Sequence, residues 1–314
     1  EYRHYLGYNV IISVERHKDR MNRRLLITGA GGFLGSRICE YYSNRDGYEA
    51  VGVTHRELDI EDFVAVSAFI KAIRPDYVLH CAAISNTGTC ERNPVLSEKV
   101  NVRGTINLAK ACRNAGSRMI FTSSDQIYNT SHSMEPNREG SEGKPGNVYG
   151  RDKKRAEEAM LTYLPDAVAL RLTWMYDAPS RGRAAGQGLL QKLADALKDR
   201  REVEFPVHDY RGITYVWEVV RHLEEAMGLP GGVYNFGSEN RYNTFDTARL
   251  FLRELAGSDS GGILKRNDER FASCPRNLTM DTDKIKSYGI RFFNTSEGIR
   301  KCCMEHREMS RASC

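Results

Sequence analysis

A glycine-rich turn limits the fold of this chain more than any other stretch. It follows a short apolar run and opens an amphipathic segment, "LLITGAGGFLGSRICEYY". Glycines three residues apart permit a tight turn and a close approach of the backbone to a pyrophosphate, and the helix that follows offers unpaired N–H groups. We therefore predict a dinucleotide site at Gly29, Gly32, Phe33, Leu34 and Gly35. The alternative is an ordinary glycine-rich turn.

Apolar segments of strand length alternate with segments of helical periodicity from Arg24 to Trp174. The predicted strands are "RRLLITG", "EAVGVT", "YVLHCAA", "RMIFTSSD" and "AVALRLTW". Most of them lack the polar alternation of a half-exposed strand, which indicates burial on both faces. This order predicts an α/β fold, a Rossmann doubly wound parallel sheet covered by helices on both sides.

The alternation ends after Trp174, at the glycine-rich loop "DAPSRGRAAGQG". The helical and strand segments that follow predict a smaller C-terminal α/β substrate lobe. We assign residues 21–174 to the nucleotide-binding domain, with 206–237 returning to it. The substrate-binding lobe is then formed by 175–205 and 238–314.

Residues 1–20 stand apart from this pattern. Met21 and a short basic lead directly precede the first predicted strand. We expect Met21 to lie close to the natural start and residues 1–20 to be an N-terminal extension. The alternative is an additional strand formed by "YNVIISV".

Composition argues against several classes of protein. The chain has 314 residues, 40% of them hydrophobic, and a formal net charge of +5, as is ordinary for a soluble globular protein. No apolar stretch reaches the roughly 18 residues of a membrane span, and no basic run with interleaved aromatic residues indicates nucleic-acid binding. The eight cysteines are scattered without the paired spacing of a zinc site. We therefore predict no metal and a reduced, cytoplasmic setting.

The end of the second predicted strand bears on the cofactor. Sites for NAD usually carry an acid there for the ribose 2′-hydroxyl, whereas an arginine accommodates the 2′-phosphate of NADP. In "GVTHRE", Thr54 stands where the acid is expected, and Arg56 follows closely. The stretch predicts a preference for NADP(H), with NAD(H) as a second cofactor. The alternative for Arg56 is a solvated loop arginine.

Tyr149 and Lys153 lie four residues apart at the head of a predicted helix, "NVYGRDKKRAEEAMLTYL". This spacing puts both side chains on one helix face. With 16 tyrosines in the chain, such a pair is expected by chance about once. Taken alone, the pair is equally compatible with an ordinary helix surface, so its context has to decide.

A set of motifs supplies that context. They are "TGAGGFLG", "LDIED", "HCAAISNTGTCERNP", "VNVRGT", "FTSSDQIY", "NVYGRDK", "LRLTWMY" and "GITYV". Together they resemble the extended short-chain dehydrogenase/reductase family and, within it, the RmlD-like sugar-nucleotide reductases, the dTDP-4-dehydrorhamnose reductases. The resemblance runs from about Arg24 to about Gly237.

The resemblance implies a catalytic set of Ser124, Tyr149 and Lys153. A carbonyl that accepts hydride becomes an alkoxide and needs a proton, which the phenol of Tyr149 would supply. An ammonium group near a phenol stabilises the phenolate and lowers the phenol's pKa towards neutrality. Tyr149 and Lys153 would also contact the cofactor, Lys153 at the nicotinamide ribose, and Ser124 would hydrogen-bond the substrate oxygen.

The resemblance also implies further binding residues. The adenine would lie on Asp59 and Ile60, and the end of the third strand would follow the cofactor at Ala82, Ala83 and Ile84. Asp125 and Trp174 would contact the sugar, with a core aromatic as the alternative for Trp174. Arg211 would bind the substrate diphosphate, although "RGI" replaces the Gly-Ser-Pro stretch that is common there.

One triplet separates reaction types. The related 4,6-dehydratases follow the Ser/Thr with Asp and Glu, an acid and a base that eliminate water, whereas this chain reads Ser124-Asp125-Gln126. An amide cannot accept a proton as a carboxylate does, so the elimination base is missing. The RmlD-like reductases usually have Tyr at the third position, so Gln126 departs from both groups.

These observations predict an NAD(P)H-dependent reductase of a nucleotide-linked 4-keto-6-deoxy sugar, with Tyr149 as proton donor. An NDP-sugar 4-epimerase of the same family is one alternative. A non-catalytic NADP-binding subunit, like the regulatory subunits of methionine adenosyltransferases, is the other, because a fold does not fix a function. The predicted partner is a nucleotide sugar, and a homodimer stays open.

Overall fold

The computed structural model describes residues 22–131, 133–178, 188–256 and 262–312. The predicted extension of residues 1–20, together with its alternative strand, lies outside the described residues. Most of the predicted loop "DAPSRGRAAGQG" lies outside them as well.

The described strands and helices follow the predicted alternation. The strands are β1 (Arg23–Thr28), β2 (Tyr48–Val53), β3 (Tyr77–His80), β4 (Arg118–Ser124), β5 (Val168–Leu172), β6 (Trp174–Tyr176), β7 (Val203–Pro206), β8 (Asp209–Arg211), β9 (Ile213–Tyr215), β10 (Gly232–Phe236), β11 (Leu264–Asn267) and β12 (Arg276–Leu278). The helices are α1 (Phe33–Ser43), α2 (Phe63–Ile73), α3 (Thr87–Arg92), α4 (Pro94–Glu98), α5 (Thr105–Ala115), α6 (Val148–Tyr163), α7 (Leu189–Asp199), α8 (Val216–Arg221), α9 (Leu223–Met227), α10 (Thr244–Ala256), α11 (Asp283–Lys286) and α12 (Thr295–Ala312).

Six strands form the main sheet in the order β10-β5-β4-β3-β1-β2. β1 pairs in parallel with β2 and with β3, opposing Leu25 to Ala50 and to Tyr77. β3 pairs in parallel with β4. Leu25, Leu26 and Ile27 are all fully buried, as expected of a strand covered on both faces. The predicted α/β fold with a Rossmann-type parallel sheet is confirmed.

The helical segment between Pro94 and Ala115 is not uniform. α4 and α5 are joined by a π-helical stretch, Lys99–Gly104. A π-helical stretch widens the helix and often marks a functional position. In this stretch Gly104 lies against Ile60, since a Cβ added at Gly104 would come within 2.6 Å of Cδ1 of Ile60. Side-chain periodicity alone does not reveal such a change of hydrogen-bond pattern.

The chain divides into two compact units. The first holds the described residues up to 122 together with 155–168 and 230–232, and it contains β1 to β3 with α1 to α5. The second holds 123–154, 169–229 and the described residues from 233 onwards. The domain bounds predicted from the sequence remain a prediction.

The second unit has its own apolar core. Two parallel strand pairs, β11 with β7 and β6 with β9, contribute residues to it, and a third pair is formed by β12 with β8. Leu193 of α7, Phe251 of α10 and Ile299 of α12 are buried in one cluster. Apolar residues at helical spacing on these helices explain why the C-terminal segment forms a lobe with a core of its own.

Glu218 is one of the buried carboxylic acids in this second unit. Glu218 of α8 is 4% exposed, and its Oε1 accepts a hydrogen bond of 3.0 Å from the backbone N–H of Phe293. Its Oε2 is buried without a hydrogen-bond partner among the described residues. Burial raises the pKa of Glu218 to about 7, because the charged form is poorly solvated there.

We predict that Glu218→Gln stabilises the protein at pH 8 and has little effect at pH 5. The folded-state pKa of Glu218, about 7, lies above the unfolded value of 4.5, so this carboxyl group destabilises the folded protein progressively as the pH rises from 4.5 to about 7, and the cost levels off above that pH. An amide keeps the acceptor for Phe293 and carries no charge. Thermal unfolding at pH 8 should give a melting temperature higher by about 2 to 8 °C.

Glu204→Gln makes the same chemical change at an exposed position of β7 and serves as the control. It should shift the melting temperature little at either pH. An equal shift of the Glu218→Gln variant at pH 5 and pH 8 would contradict the prediction.

Candidate active site

The predicted dinucleotide turn is tightly packed in the first unit. Gly29 has φ +71°, and a Cβ there would lie 2.7 Å from the backbone nitrogen of Ala82. A Cβ on Gly35 would collide with the carbonyl oxygen of Gly29. Only glycine therefore allows α1 to pack onto the turn and the turn to pack onto the segment after β3.

The N-terminus of α1 is open to a ligand. Its N-cap residue is Gly32, and no side chain caps the helix. The neighbouring helix α2 differs, because the carboxylate of Asp62 accepts hydrogen bonds from its first turn. An uncapped helix N-terminus behind a glycine turn suits a pyrophosphate. These residues therefore fit the dinucleotide that the sequence predicts, with Phe33 and Leu34 in the first helical turn.

The segment after β3 is held by an asparagine that the sequence analysis did not single out. Asn101 lies in the π-helical stretch and is fully buried. Its Oδ1 accepts from the backbone N–H of Ile84 at 2.9 Å, and its Nδ2 donates to the carbonyl of Ile84 at 3.1 Å. Ala82, Ala83 and Ile84 are half-buried, so Asn101 fixes the end of the predicted cofactor strip.

The two predicted adenine residues differ in exposure. Ile60 is buried, and Asn107 holds its carbonyl oxygen at 3.0 Å. Asp59 is exposed, and its Oδ1 accepts from the backbone N–H of Glu61 at 2.9 Å. The Ile60 backbone is thus fixed, while the carboxylate of Asp59 faces solvent.

The end of β2 carries an acid that the sequence analysis missed. Oε2 of Glu57 accepts hydrogen bonds of 2.7 Å from both the backbone N–H and the hydroxyl of Thr54. These bonds lower the pKa of Glu57. Thr54 adjoins the glycine turn, because a Cβ on Gly31 would lie 3.5 Å from its Cγ2. The sequence predicts no acid at the end of β2, because Thr54 stands there. In the structure the carboxylate of Glu57 lies close to that position, and the exposed Arg56 precedes Glu57 in the chain.

Ser124 ends β4 in the second unit. Its Oγ donates to Oδ1 of Asp125 at 3.3 Å and accepts from the backbone N–H of Gln126 at 3.2 Å. The residues that follow form a short 3-10 helix, Asp125–Tyr128. Ser124 and Asp125 are both buried, so the strand delivers a fixed hydroxyl and a fixed carboxylate side by side.

Tyr149 and Lys153 occupy the first turns of α6, in the same unit as Ser124. Tyr149 is 8% exposed and Lys153 only 2%. The Lys153 Nζ lies 5.8 Å from the centroid of the Tyr149 ring. Lysines on an ordinary helix surface keep their ammonium groups in water. Burial of Lys153 therefore argues against the surface-helix alternative for this pair.

The structure brings together three of the predicted substrate residues. Arg211 Nη2 forms an ion pair of 2.6 Å with Oδ2 of Asp125. The Arg211 guanidinium also lies over the ring of Trp174, 4.9 Å from its centroid. Trp174 is half-buried and packs against the core of the second unit. It therefore serves as a core aromatic and also presents a ring face to Arg211.

Arg211 is accordingly not the isolated cation that a diphosphate site suggests. Its charge is shared with Asp125, although its buried Nε has no hydrogen-bond partner among the described residues. The resulting cluster of Ser124, Asp125, Trp174 and Arg211 offers a hydroxyl, a carboxylate, an aromatic face and a guanidinium. This combination can bind the hydroxyl groups and ring of a sugar and an attached anion.

Neither a membrane-spanning helix nor a cluster of metal-ligating side chains occurs among the described residues. Among the described helices, none is long and apolar enough to cross a membrane. Within the same ranges, no group of three His, Cys, Asp or Glu side chains is placed to hold a metal ion.

Comparison with known proteins agrees with the motifs. A dTDP-4-dehydrorhamnose reductase of Mycolicibacterium smegmatis is 31% identical over 251 residues, which cover 77% of this chain and 72% of that protein. The methionine adenosyltransferase 2 subunit beta of Xenopus laevis is 27% identical over 282 residues, covering 86% and 83%. The structure of a dTDP-4-dehydrorhamnose reductase from Bacillus anthracis in complex with NADP superposes with a TM-score of 0.80 at 22% identity, covering 90% of this chain and 99% of that one.

The family assignment rests on most of the chain. Residues 23–307 match the family described as the RmlD substrate binding domain. That range includes the glycine turn, Ser124, Tyr149, Lys153 and the C-terminal lobe, so the family predicted from the motifs is confirmed. The chain belongs to the RmlD substrate binding domain family.

Proposed function

We propose that the protein is an NADPH-dependent oxidoreductase that reduces the 4-keto group of a nucleotide-linked 6-deoxy sugar, as dTDP-4-dehydrorhamnose reductases do. The observation that carries the proposal is the burial of Lys153 one helical turn after Tyr149, in the unit that also holds Ser124. The name of the relative from M. smegmatis and the NADP in the B. anthracis structure support the same reaction.

Three side chains carry the chemistry in this proposal. NADPH, when bound, supplies the hydride. The Ser124 hydroxyl, which donates to Asp125 in the structure, turns its one proton to the substrate carbonyl oxygen and polarises it. Tyr149 donates its phenolic proton to that oxygen as negative charge develops there. The Lys153 ammonium stabilises the phenolate that remains, and the low exposure of Lys153 strengthens this electrostatic effect.

The cluster around Arg211 orients the substrate. Asp125 accepts hydrogen bonds from sugar hydroxyl groups, and Trp174 provides an apolar face for the sugar ring. Arg211 binds the diphosphate while it stays paired with Asp125. One ion pair therefore contacts both the sugar and the diphosphate that links the sugar to the nucleoside.

Elimination of water is not part of the proposed reaction. A 4,6-dehydratase needs a carboxylate after the Ser-Asp pair, and Gln126 stands there. The Gln126 Oε1 accepts a hydrogen bond of 2.9 Å from Nδ2 of Asn147. An amide oxygen held in this way is not a base.

Two alternative functions differ from the proposed reductase in how they would use the cofactor. A 4-epimerase would use the same three residues but retain its NAD and consume no NADPH overall. A regulatory subunit would bind the nucleotide without turnover, and the subunit beta from X. laevis is a relative of that kind by name. The buried Lys153 next to Tyr149 favours an enzyme, because a positive charge near a phenol stabilises the phenolate that proton donation leaves behind.

The cofactor part of the proposal rests on the open helix N-terminus and on two neighbouring residues of opposite charge. Arg56 binds the 2′-phosphate of NADPH. Glu57 stands at Thr54 and opposes that phosphate, so the preference for NADPH over NADH is moderate and both cofactors bind. A cytoplasmic location completes the proposal, supported by buried cysteines that pack as small apolar residues, such as Cys112.

We predict that Tyr149→Phe lowers single-turnover NADPH oxidation with a 4-keto-6-deoxy sugar nucleotide by about 10²-fold or more, as expected for loss of a positioned acid. Only a hydroxyl is removed and the glycine turn that would hold the pyrophosphate is intact, so NADPH should still bind. Tyr163→Phe, the same change at the far end of α6, is the control and should keep the wild-type rate. Equal rates for wild type and Tyr149→Phe would favour the binding-subunit alternative.

A second prediction concerns the cofactor and needs no turnover. Arg56→Ala should weaken binding of adenosine 2′,5′-bisphosphate by about 10-fold or more, since one charge-assisted contact is lost. Glu57→Gln should tighten it several-fold, because the amide oxygen still accepts from Thr54 while the negative charge is removed. Binding of AMP, which lacks the 2′-phosphate, should change little in either variant. Calorimetric titration measures all three effects, and unchanged affinities for the bisphosphate in both variants would refute the assignment.

A further inference from the structure

The helix that carries Tyr149 and Lys153 is tied to the turn that carries Ser124. Asn147 precedes α6, and its Oδ1 accepts a hydrogen bond of 2.7 Å from the backbone N–H of Gly150. This is an N-cap, which satisfies a donor of the first helical turn. The Nδ2 of the same side chain donates to Gln126 Oε1 at 2.9 Å. One amide thus caps the helix and bridges to the turn after β4.

Backbone packing at Gly150 brings the helix and the turn into direct contact. A Cβ added at Gly150 would lie 2.5 Å from the carbonyl oxygen of Gln126 and 2.8 Å from Cβ of Pro145. No other residue at position 150 would let the first turn of α6 lie so close to Gln126. The hydrogen bond from Asn147 to Gln126 therefore spans a close backbone contact between Gly150 and Gln126.

Gln126 extends the connection to the substrate cluster. Its backbone N–H donates to Oγ of Ser124 at 3.2 Å, and its Nε2 donates to Oδ1 of Asp125 at 3.4 Å. Asp125 in turn pairs with Arg211. Hydrogen bonds and one ion pair thus run without a break from Arg211 through Asp125, Gln126 and Asn147 to the N-terminus of α6.

This arrangement explains why an amide occupies position 126. The side chain meets a donor, Nδ2 of Asn147, at one end and an acceptor, Oδ1 of Asp125, at the other. An amide offers both an acceptor and a donor, whereas a carboxylate offers only acceptors and tyrosine a single hydroxyl. Gln126 is 8% exposed, and a buried group that cannot match its neighbours destabilises its surroundings.

We propose that Asn147 and Gln126 are positioning residues that hold the Tyr149 phenol at a fixed distance from the Ser124 hydroxyl. Neither residue exchanges a proton. The inference rests on the proposed function, in which Tyr149 and Ser124 act on the same carbonyl oxygen. A misplacement of about 1 Å in such a pair can reduce turnover by roughly 10²-fold, so a bridge that prevents small shifts affects kcat more than binding.

The test separates the cap from the bridge. Asn147→Ser keeps an acceptor for Gly150 but is too short to reach Gln126, and Gln126→Met keeps the side-chain volume but forms neither hydrogen bond. Each should lower kcat by about 10-fold, in line with a partial loss of orientation, while the Kd for NADPH stays unchanged. Because the two changes break one bridge, the double variant should be little worse than either single variant.

A matched control isolates helix capping. Asn294 caps α12 with the same geometry, its Oδ1 accepting from the backbone N–H of Glu297 at 3.1 Å. Asn294→Ala should lower the melting temperature and leave kcat at the wild-type value. If Asn147→Ser and Gln126→Met behave in the same way, with kcat within about twofold of wild type, a value too small for lost orientation, their role is structural and the proposal is overturned.

A second readout needs no turnover. The ¹³Cζ resonance of Tyr149, assigned with Tyr149→Phe, should shift in both bridge variants and stay in place in Asn294→Ala. If wild type oxidises NADPH with none of the 4-keto sugar nucleotides but the resonance shifts, the proposed function fails and the positioning role stands. If wild type is active and neither kcat nor the resonance changes in the bridge variants, the proposed function stands and the positioning role is wrong.

Discussion

A lysine ammonium group held at 2% exposure is the constraint on which the candidate active site depends. Removing such a charge from water is costly, and an apolar side chain of similar size would pack there without that cost. A buried positive charge also acts on its neighbours, and the ring centroid of Tyr149, one turn earlier on the same helix, lies 5.8 Å from the Lys153 Nζ. The proposed function uses this charge to stabilise a tyrosinate.

Asparagine side chains hold the backbone at the decisive place in each unit. In the first, Asn101 bonds both polar groups of the Ile84 backbone from a π-helical stretch. In the second, Asn147 bonds the first turn of α6 and the side chain of Gln126. An amide is suited to both tasks because it donates and accepts in one plane. Each of the two asparagines thereby fixes the position of a segment that follows a strand of the main sheet.

The sequence was sufficient for the features that depend on neighbouring residues. Apolar strands, helical periodicity, the glycine turn and the Tyr149–Lys153 spacing all follow from local pattern, and the parallel sheet agrees with them. The sequence was insufficient where two contacting residues are far apart in the chain, or where a side chain turns back to bind a residue a few positions earlier. Arg211 and Asp125 pair across 86 positions, and Glu57 turns back to Thr54 and supplies a carboxylate that the strand end itself lacks. Such contacts depend on tertiary geometry that periodicity does not encode.

The hydrogen bonds of Gln126 to Asn147 and Asp125 have a consequence for substitutions at position 126. Codons for glutamine and glutamate differ by a single base, so an elimination base at this position lies one mutation away. The mutation would set two carboxylates against each other, since Asp125 Oδ1 now receives an N–H from Gln126. The same substitution would thus supply a carboxylate and remove the hydrogen bond that Asp125 now receives, so the gain of a base at this position is coupled to a change in the surroundings of Asp125.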